Sequence, residues 1–312
     1  MIVVVGSINA DLFFTVDQLP QQGETVLCPD YQMYIGGKGA NQAVAAANAG
    51  AATRMVGAVG DDVFAATARQ CLLAAGVDVA AVSDRSGATG TAMVAVDGHG
   101  ENQIIVASGA NTQVAANQLP ADWLGRETTV VLQMEIPAAT NQAVIAAARA
   151  ADCRIILNVA PAAAMASATL QQTDILIANR GEAAVLLPGD VGPLEQAARI
   201  ARMYQVTAII TLGSAGLVAV SADGQSWQIP ALDIAAIDSV GAGDAFVGGF
   251  AAALDGGADL GEALVRGNVA GGLACIDKGP QSSPKKTLID RHVSALKAFQ
   301  MPNEHVTLGD KS

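Results

Sequence analysis

The segment Ile2-Val-Val-Val-Gly-Ser7 decides the fold class of this chain. A short β-branched run that stops at a glycine is typical of a strand buried on both faces of a parallel sheet. Similar apolar runs recur at 130–133, 154–157, 174–177 and 208–212, with helices predicted between them, for example at 137–151 and 193–204. This alternation predicts a doubly wound α/β sheet with helices on both faces.

Two regions break the rhythm, because apolar and polar residues alternate there over short lengths. Such alternation predicts antiparallel hairpin strands. Strands that project from an α/β core can cover a site at the strand ends. We therefore predict a β-sheet lid at 12–35 and 91–106. The main domain is predicted at 1–11, 36–90 and 107–299, and a polar C-terminal tail at 300–312.

The composition argues against several classes of partner. The formal charge is -12, with 17 Lys and Arg against 29 Asp and Glu, whereas nucleic acids and anionic membranes require basic surfaces. No stretch approaches the roughly 18–20 uncharged apolar residues of a membrane span. Residues 1–6 also lack the basic flank and the length of a signal peptide. We expect a cytoplasmic protein whose partners are small molecules or a second copy of itself.

The cysteines and histidines suggest no chemistry of their own. The four cysteines lie far apart without a C-x-x-C pair, and the three histidines match no hydrolase or zinc pattern. Carboxylates, backbone groups and ligands are therefore expected to carry the chemistry.

The clearest chemical signal is the stretch 238–249, Asp-Ser-Val-Gly-Ala-Gly-Asp-Ala-Phe-Val-Gly-Gly, which leads into an apolar helix. The N–H groups of Gly241, Ala242 and Gly243 would point outward with the positive end of the helix dipole and could hold a transferring phosphoryl group. Asp244 falls in the first turn, where its carboxylate could accept a proton from an attacking hydroxyl. A glycine-eased helix start with a dipole-complementing aspartate explains the same residues equally well.

A second glycine-rich stretch, Ile-Gly-Gly-Lys-Gly-Ala-Asn-Gln at 35–42, precedes a helix predicted at 40–49. Asn41 can donate and accept hydrogen bonds, as suits adjacent sugar hydroxyls, although a flexible strand-to-helix turn is an equal alternative. The stretch is not a P-loop, because Gly follows Lys38 and position 32 is Gln. No G-x-G-x-x-G occurs in the chain, which removes the main case for a dinucleotide dehydrogenase.

A third segment, Gly6-Ser-Ile-Asn-Ala-Asp11, follows the first predicted strand, where ligands of open α/β sheets bind. Asn9 and Asp11 are spaced to lie on one side of an extended segment, so both could face one polyol. A turn stabilised by local Asn and Asp hydrogen bonds is the simpler explanation of this segment alone.

Four blocks together resemble the ribokinase (PfkB-type) family of carbohydrate kinases, in order and spacing from residue 1 to about residue 299. They are 6–11, 36–46, Thr-Leu-Gly-Ser-Ala-Gly at 211–216, and 238–246. The resemblance implies a three-layer α/β/α sandwich with a small β-sheet lid. It also implies ATP-dependent phosphorylation of a small sugar, with the 5-hydroxyl of D-ribose as the expected acceptor and D-ribose 5-phosphate and ADP as products.

The resemblance implies a role for each matching residue. Asp244 is the expected base, beside an anion hole formed by Gly241, Ala242 and Gly243. The expected sugar contacts are Asn9, Asp11, Gly37, Asn41 and Glu135. The expected nucleotide contacts are Asn179, Thr211, Gly213, Ser214, Gly216 and Asn268.

Two metal sites are implied as well. Asn179 and Glu182 match the family's N-x-x-E motif and would place oxygen ligands near Mg²⁺ through water, although a helix capping box describes them equally well. The positions expected to bind an activating K⁺ are Asp238, Val240, Ala274, Asp277, Gly279 and Ser283. Asp277 replaces a basic residue, and Arg180 replaces an acidic or small one, which leaves the K⁺ dependence and the nucleotide affinity open.

Apolar lid strands, for example at 12–16, predict a homodimer formed through the lid. Two alternatives to a ribose kinase remain. The first is a kinase for deoxyribose, fructose or adenosine, of which the nucleoside is disfavoured by an aromatic content of 4%. The second is a non-catalytic sugar-binding regulator, which would have no use for a base such as Asp244 beside an anion hole.

Overall fold

The computed structural model describes residues 1–99, 101–277 and 279–296, and the backbone alone of 299–300. In chain order the strands of these residues are β1 Ile2–Val5, β2 Asn9–Thr15, β3 Tyr31–Gly36, β4 Thr53–Val59, β5 Asp78–Asp84, β6 Gly90–Val96, β7 Asn102–Ala107, β8 Thr129–Leu132, β9 Arg154–Asn158, β10 Ile175–Asn179, β11 Thr207–Thr211, β12 Leu217–Val220, β13 Ser226–Ile229 and β14 Phe299–Gln300. The helices are α1 Lys38–Asn48, α2 Val63–Ala74, α3 Ala138–Ala150, α4 Ser167–Leu170, α5 Arg180–Leu186, α6 Pro193–Tyr204, α7 Ala242–Asp255, α8 Leu260–Ala274 and α9 Lys286–His292.

One large sheet organises the fold. Its strand order is β14-β13-β12-β11-β10-β9-β8-β1-β4-β5, and neighbouring strands from β11 to β5 are parallel. The strands predicted at 130–133, 154–157, 174–177 and 208–212 correspond to β8, β9, β10 and β11, and the two predicted helices correspond to α3 and α6.

The sheet ends in an antiparallel edge that the sequence analysis did not predict. β12 pairs antiparallel with β11, β13 with β12, and β14 with β13. The overlooked signal is Asp223-Gly224 between the two short apolar runs, a pair typical of hairpin turns. Gly224 has a φ of 88°, a conformation that favours glycine.

Helices cover both faces of the large sheet. Successive residues of a strand point to opposite faces, and all four residues of β1 are fully buried. Ile2 and Val4 belong to a core shared with α1, α2, α7, α8 and α9, whereas Val3 and Val5 belong to a core shared with α3, α5 and α6. This arrangement confirms the predicted three-layer α/β/α sandwich.

A second sheet has the strand order β3-β2-β6-β7, and its first strand in the chain, β2, follows β1 of the large sheet. Its two hairpins, β2 with β3 and β6 with β7, are antiparallel, and β2 pairs parallel with β6. The small sheet of the predicted fold is therefore present, while its role as a lid and the domain boundaries stay predictions. The predicted tail lies, from residue 301 onward, outside the described residues. No helix in the described ranges is long and apolar enough to cross a membrane.

Helices α1 and α7 pack closely through glycine. A Cβ atom on Gly248 of α7 would lie 2.4 Å from the Cβ atom of Ala45 and 2.7 Å from the backbone nitrogen of Ala46, both on α1. Real Cβ atoms do not approach other atoms this closely, so Gly248 sets the distance between the two helices.

We expect Gly248→Ala to destabilise the protein by about 1–3 kcal/mol, because the added methyl group must push α1 away from α7. Urea unfolding followed by circular dichroism measures the free energy of unfolding. The control is Gly125→Ala, where a Cβ atom meets nothing within 4 Å. An unchanged stability of Gly248→Ala would show that the helix contact tolerates extra volume.

Candidate active site

The start of α7 depends on a glycine. Gly241 caps the helix with a φ of 79°, and a Cβ atom there would lie 2.3 Å from the carbonyl oxygen of Pro280. Ala242, Gly243 and Asp244 form the first turn, and the N–H of Ala242 donates to the carbonyl of Ser239 at 3.2 Å. The helix therefore begins where the sequence analysis expected an anion-binding turn.

Asp244 is a buried carboxylate held by α1. Its Oδ2 atom accepts a hydrogen bond from Nδ2 of Asn41 at 3.0 Å, and its Oδ1 atom accepts one from Nε2 of Gln42 at 2.8 Å. The side chain is not the helix cap, because no capping hydrogen bond is made by it or by Gly241. Two consecutive residues of α1 thus orient both oxygens of one carboxylate.

The pKa of Asp244 is raised, chiefly by burial. Lys38, Gln42 and Asn41 lower this pKa, and Glu135 raises it. A carboxylate with a raised pKa is a stronger base than an exposed aspartate.

Lys38 supplies positive charge beside this carboxylate. Burial lowers the pKa of its ammonium group, but Asp244, Glu135 and Glu182 raise it, and the net direction is upward. The side chain therefore remains charged at neutral pH. The sequence analysis used Lys38 only to exclude a P-loop.

A cavity of about 420 Å³, the β2 cavity, lies beside the start of β2 and is lined by Asn9, Asn111 and Glu135 among others. Asn9, Asp11 and Asn41 are buried. In the part of the chain that the structure describes, Oδ1 of Asp11 and Oδ1 of Asn41 have no hydrogen-bond partner. Buried oxygens without partners are suited to accept hydrogen bonds from ligand hydroxyls.

Glu135 joins this group through the turn before α1. Its Oε2 atom accepts hydrogen bonds from Oγ of Ser7 at 2.6 Å and from the backbone N–H of Lys38 at 3.0 Å. Burial raises the pKa of Asp11 to about 7, with further contributions from the charges of Glu135 and Asp244. The three predicted carboxylates are therefore electrostatically coupled in one place.

A larger cavity of about 560 Å³, the α7 cavity, lies at the first turn of α7. Ala242 and Gly243 line it, and the Nδ2 atom of Asn268 on its wall donates to the carbonyl of Pro230 at 2.7 Å. The remaining predicted nucleotide contacts on its wall are Thr211, Gly213, Ser214 and Gly216.

Asn179 and Glu182 form the capping box of α5. Oδ1 of Asn179 accepts from the backbone N–H of Glu182 at 2.8 Å, and Oε2 of Glu182 accepts from the N–H of Asn179 at 2.7 Å. Asn179 lines a separate cavity of about 430 Å³ together with Thr211 and Gly213. Both residues thus lie next to predicted nucleotide contacts, although not on the wall of the α7 cavity.

Asp238 ties together the segment predicted to bind K⁺. Its Oδ1 atom accepts from the N–H of Val240 at 2.9 Å, and its Oδ2 atom accepts from the N–H of Gly279 at 3.1 Å. The carbonyl of Ala274 accepts a hydrogen bond from a serine hydroxyl at 2.8 Å. Asp277 is exposed. Ser283 is joined to α1 instead, through hydrogen bonds from an asparagine side chain.

Comparison with known proteins identifies the family. The model of the pfkB family carbohydrate kinases matches residues 1–287. The chain belongs to this family. A ribokinase of Bacillus subtilis (strain 168) is 37% identical over 285 residues, covering 90% of this chain and 94% of the relative. A deoxyribokinase of Salmonella typhimurium is 30% identical over 290 residues, with coverages of 90% and 94%.

Solved structures agree with this assignment. The structure of Arabidopsis thaliana ribokinase complexed with ribose and ATP matches this pfkB family kinase with a TM-score of 0.84 and 29% identity, covering 94% of this chain and 98% of that one. The residue roles implied by the family resemblance stay proposals.

Sequence reasoning missed several polar residues of the site. Gln42, Gln133 and Asn158 form a hydrogen-bonded group that reaches Asp244, and Asn111 donates to Oδ1 of Asn9 at 2.7 Å. One signal was available: Gln42 interrupts an otherwise Ala-rich helical face. The other residues come from distant segments, and only the fold brings them together.

We expect Asp11→Asn to stabilise this kinase more at pH 8 than at pH 4.5, by about 3 kcal/mol. A pKa raised to about 7 means that the folded protein keeps a proton that the unfolded chain releases from about pH 4 upward. The cost of ionising buried Asp11 therefore grows between pH 4 and pH 7 and stays constant above. Urea unfolding at the two pH values measures the difference.

The control for this experiment is Asp122→Asn, a substitution of an exposed aspartate. A gain at pH 8 no larger for Asp11→Asn than for Asp122→Asn would contradict the interpretation.

Proposed function

We propose that this chain catalyses the ATP-dependent phosphorylation of D-ribose at the 5-hydroxyl, giving D-ribose 5-phosphate and ADP. The observation that carries this proposal is the position of Asp244. This carboxylate is buried and held by two amide donors. It directly follows Gly243, which lines the α7 cavity, and its charge is coupled to that of Asp11 among the proposed sugar contacts. A base between an anion-binding turn and a polyol pocket suits transfer of a phosphoryl group to a hydroxyl.

In the proposed reaction Asp244 takes the proton of the sugar hydroxyl, whose oxygen attacks the terminal phosphorus of ATP while the bond from this phosphorus to the oxygen of ADP breaks. The N–H groups of Gly241 and Gly243 at the start of α7 and the ammonium of Lys38 stabilise the negative charge on the transferring group, and the N–H of Ala242 would join them by leaving the carbonyl of Ser239. The α7 cavity takes the nucleotide, with Asn268 as a contact on its wall.

The proposed sugar contacts supply acceptors and shape. Oδ1 of Asp11 and Oδ1 of Asn41, which lack partners in the described structure, would accept hydrogen bonds from sugar hydroxyls. Asn9 and Glu135 line the β2 cavity beside them. Gly37, the remaining proposed sugar contact, has a φ of 85°, and a Cβ atom there would lie 2.9 Å from the backbone nitrogen of Asn9, so glycine lets this turn pack against the segment that carries Asn9.

The residues proposed to hold Mg²⁺ fit a water-mediated site. Asn179 and Glu182 offer oxygen atoms whose lone pairs are only partly used by the capping box, and Mg²⁺ usually keeps several waters. When bound, Mg²⁺ would neutralise charge on the phosphate oxygens. For K⁺, Asp238 holds Val240 and Gly279 together, as backbone carbonyl ligands would require, and the other proposed positions are Ala274, Asp277 and Ser283.

The remaining proposals concern the lid and the alternatives. Residues 12–35 and 91–106 are proposed to close over the sugar and exclude water. The deoxyribokinase relative favours deoxyribose as the leading alternative substrate, ahead of fructose and adenosine. Arg180, beside the capping box, replaces an acidic or small residue of the family pattern, and its effect on nucleotide affinity stays open. A cytoplasmic location stays a prediction from composition.

We expect ATP turnover to be highest with D-ribose and to fall at least about 100-fold in Asp244→Asn, because the amide cannot accept the hydroxyl proton. A coupled ADP assay with D-ribose, 2-deoxyribose, fructose and adenosine, in the presence of Mg²⁺ and of K⁺ or Na⁺, measures kcat and KM.

The matched control is Asp152→Asn, which changes an exposed aspartate paired with Arg126. Turnover of another substrate alone would move the function within the family. Binding of sugar and ATP without turnover would favour the non-catalytic regulator.

We also propose a homodimer through the small sheet. Ile104, Ile105 and Val106 of its edge strand β7 are 54–63% exposed, and Tyr31 and Met33 of the opposite edge are exposed as well. An exposed apolar edge strand is a template for pairing with a second chain. In a symmetric dimer, two copies that contact each other through these edges would bury the apolar side chains of both.

We expect Ile105→Glu to convert this dimer to a monomer, because a charge would be buried in the interface. Sedimentation velocity measures the mass. The control is Val63→Glu, which places the same charge at an 82% exposed position on α2. A monomeric unmodified protein, or a dimer that survives Ile105→Glu, would exclude this interface.

A further inference from the structure

Three buried side-chain amides, those of Gln133, Gln42 and Asn158, form a group that ends on Asp244; we name it the amide group. Gln42 and Gln133 are fully buried and Asn158 is 7% exposed. Nε2 of Gln133 donates to Oε1 of Gln42 at 2.7 Å, and Nε2 of Gln42 donates to Oδ1 of Asn158 at 3.0 Å and to Oδ1 of Asp244 at 2.8 Å. Both hydrogens of the Gln42 amide are therefore used.

The neighbours of Gln42 allow its amide only one orientation. Nδ2 of Asn158 donates to the carbonyl of Ile177 at 3.1 Å, which turns Oδ1 of Asn158 toward Gln42. Gln133 presents its NH₂ group to the oxygen of Gln42. If the Gln42 amide were flipped, its oxygen would face two acceptors and its NH₂ group would face another donor, which is costly at a fully buried position.

We propose that Gln42 is a positioning residue of the reaction: held in one orientation by Gln133 and Asn158, it fixes Oδ1 of Asp244 as an acceptor and keeps this carboxylate ionised and ready to take a proton. This inference rests on the proposed function only in naming Asp244 as the base. The geometry that carries it, a fully buried donor with all its polar atoms used, is independent of the substrate.

The charges around Asp244 explain why a neutral donor is suited to this place. Lys38 on α1 favours the ionised form, whereas burial and the negative charges of Glu135, Asp11 on β2 and Glu182 on α5 oppose it. A hydrogen bond to the ionised carboxylate of Asp244 favours this form without adding a second cation. A second cation would pair with the carboxylate and make it a weaker acceptor for the substrate proton. Each oxygen of Asp244 accepts one N–H and keeps a further lone pair for the incoming hydroxyl.

The test replaces Gln42 by methionine, which has a similar length and no donor. The first measurement needs no substrate: the protonation of Asp244 is followed against pH by infrared spectroscopy of protein with ¹³C-labelled aspartate, and the band of Asp244 is identified by its loss in Asp244→Asn. We expect Gln42→Met to raise the protonation midpoint of Asp244 by about 1–2 pH units.

The second measurement is the pH profile of turnover. We expect the acid limb of kcat in Gln42→Met to shift upward by the same amount, so that the loss is about 10-fold or more at low pH and becomes small at high pH. KM for the sugar should change by less than about twofold, because the fully buried Gln42 does not reach the ligand. A merely structural role would lower kcat equally at every pH.

The matched control is Gln196→Met, a substitution of another buried glutamine, whose Nε2 atom donates to the carbonyl of Leu187 at 3.2 Å on α6, away from the site. It should leave both midpoints unchanged. If Gln42→Met does not fold, Gln133→Met carries the test, because loss of its donor releases the Gln42 amide and should shift both midpoints in the same direction by a smaller amount.

The two measurements separate the possible failures. An unchanged protonation midpoint in the folded variants overturns the inference, whatever the enzyme phosphorylates. A raised midpoint in a protein that phosphorylates none of the tested sugars supports the effect of Gln42 on Asp244 and overturns the proposed function instead.

Discussion

The site depends on the contact between α1 and α7, two helices from distant parts of the chain. Asp244 on α7 receives its hydrogen bonds from Asn41 and Gln42 on α1, and Gly248 permits the close approach of the two helices. A buried carboxylate is costly unless donors satisfy it. Helix packing, the orientation of the carboxylate and its protonation therefore all depend on this contact.

The fold was readable from the sequence because its strongest signals are local. A β-branched run such as Ile2–Val5 has one common structural explanation when Ala-rich helical stretches alternate with it. The hairpin β12–β13 shows the limit of this reasoning. Its strands are short and apolar like the parallel ones, and only the turn residues Asp223 and Gly224 distinguish the direction of the chain. Attention to turn chemistry would have predicted the antiparallel edge.

Only part of the site could be predicted from the sequence, because some of its residues form one local motif and others come from distant segments. Asp244 and its glycines form one local motif, so the helix start and its base could be recognised together. Gln133 and Asn158 carry no local signal, since a polar residue at the end of a predicted strand has many explanations. Their role arises from the parallel order of β1, β8, β9 and β10, which brings the ends of separate strands to the same edge of the sheet. Asn179 differs from these residues, because it does carry a local signal. That signal has two explanations at once: the capping-box geometry is present, and the family motif matches the same residues.

The passage of the chain from β1 into β2 has a mechanical consequence. β1 ends at Val5 and β2 begins at Asn9, so the short segment 6–8 is one of four connections between the small sheet and the rest of the protein; the others follow β3, precede β6 and follow β7. Asn9 and Asp11 would travel with the small sheet, whereas Glu135 and Asp244 belong to the large one. The proposed polyol pocket is thus built from both sheets, and any movement of the small sheet relative to the large one would change its size. A sugar bound as proposed would therefore contact both sheets at once.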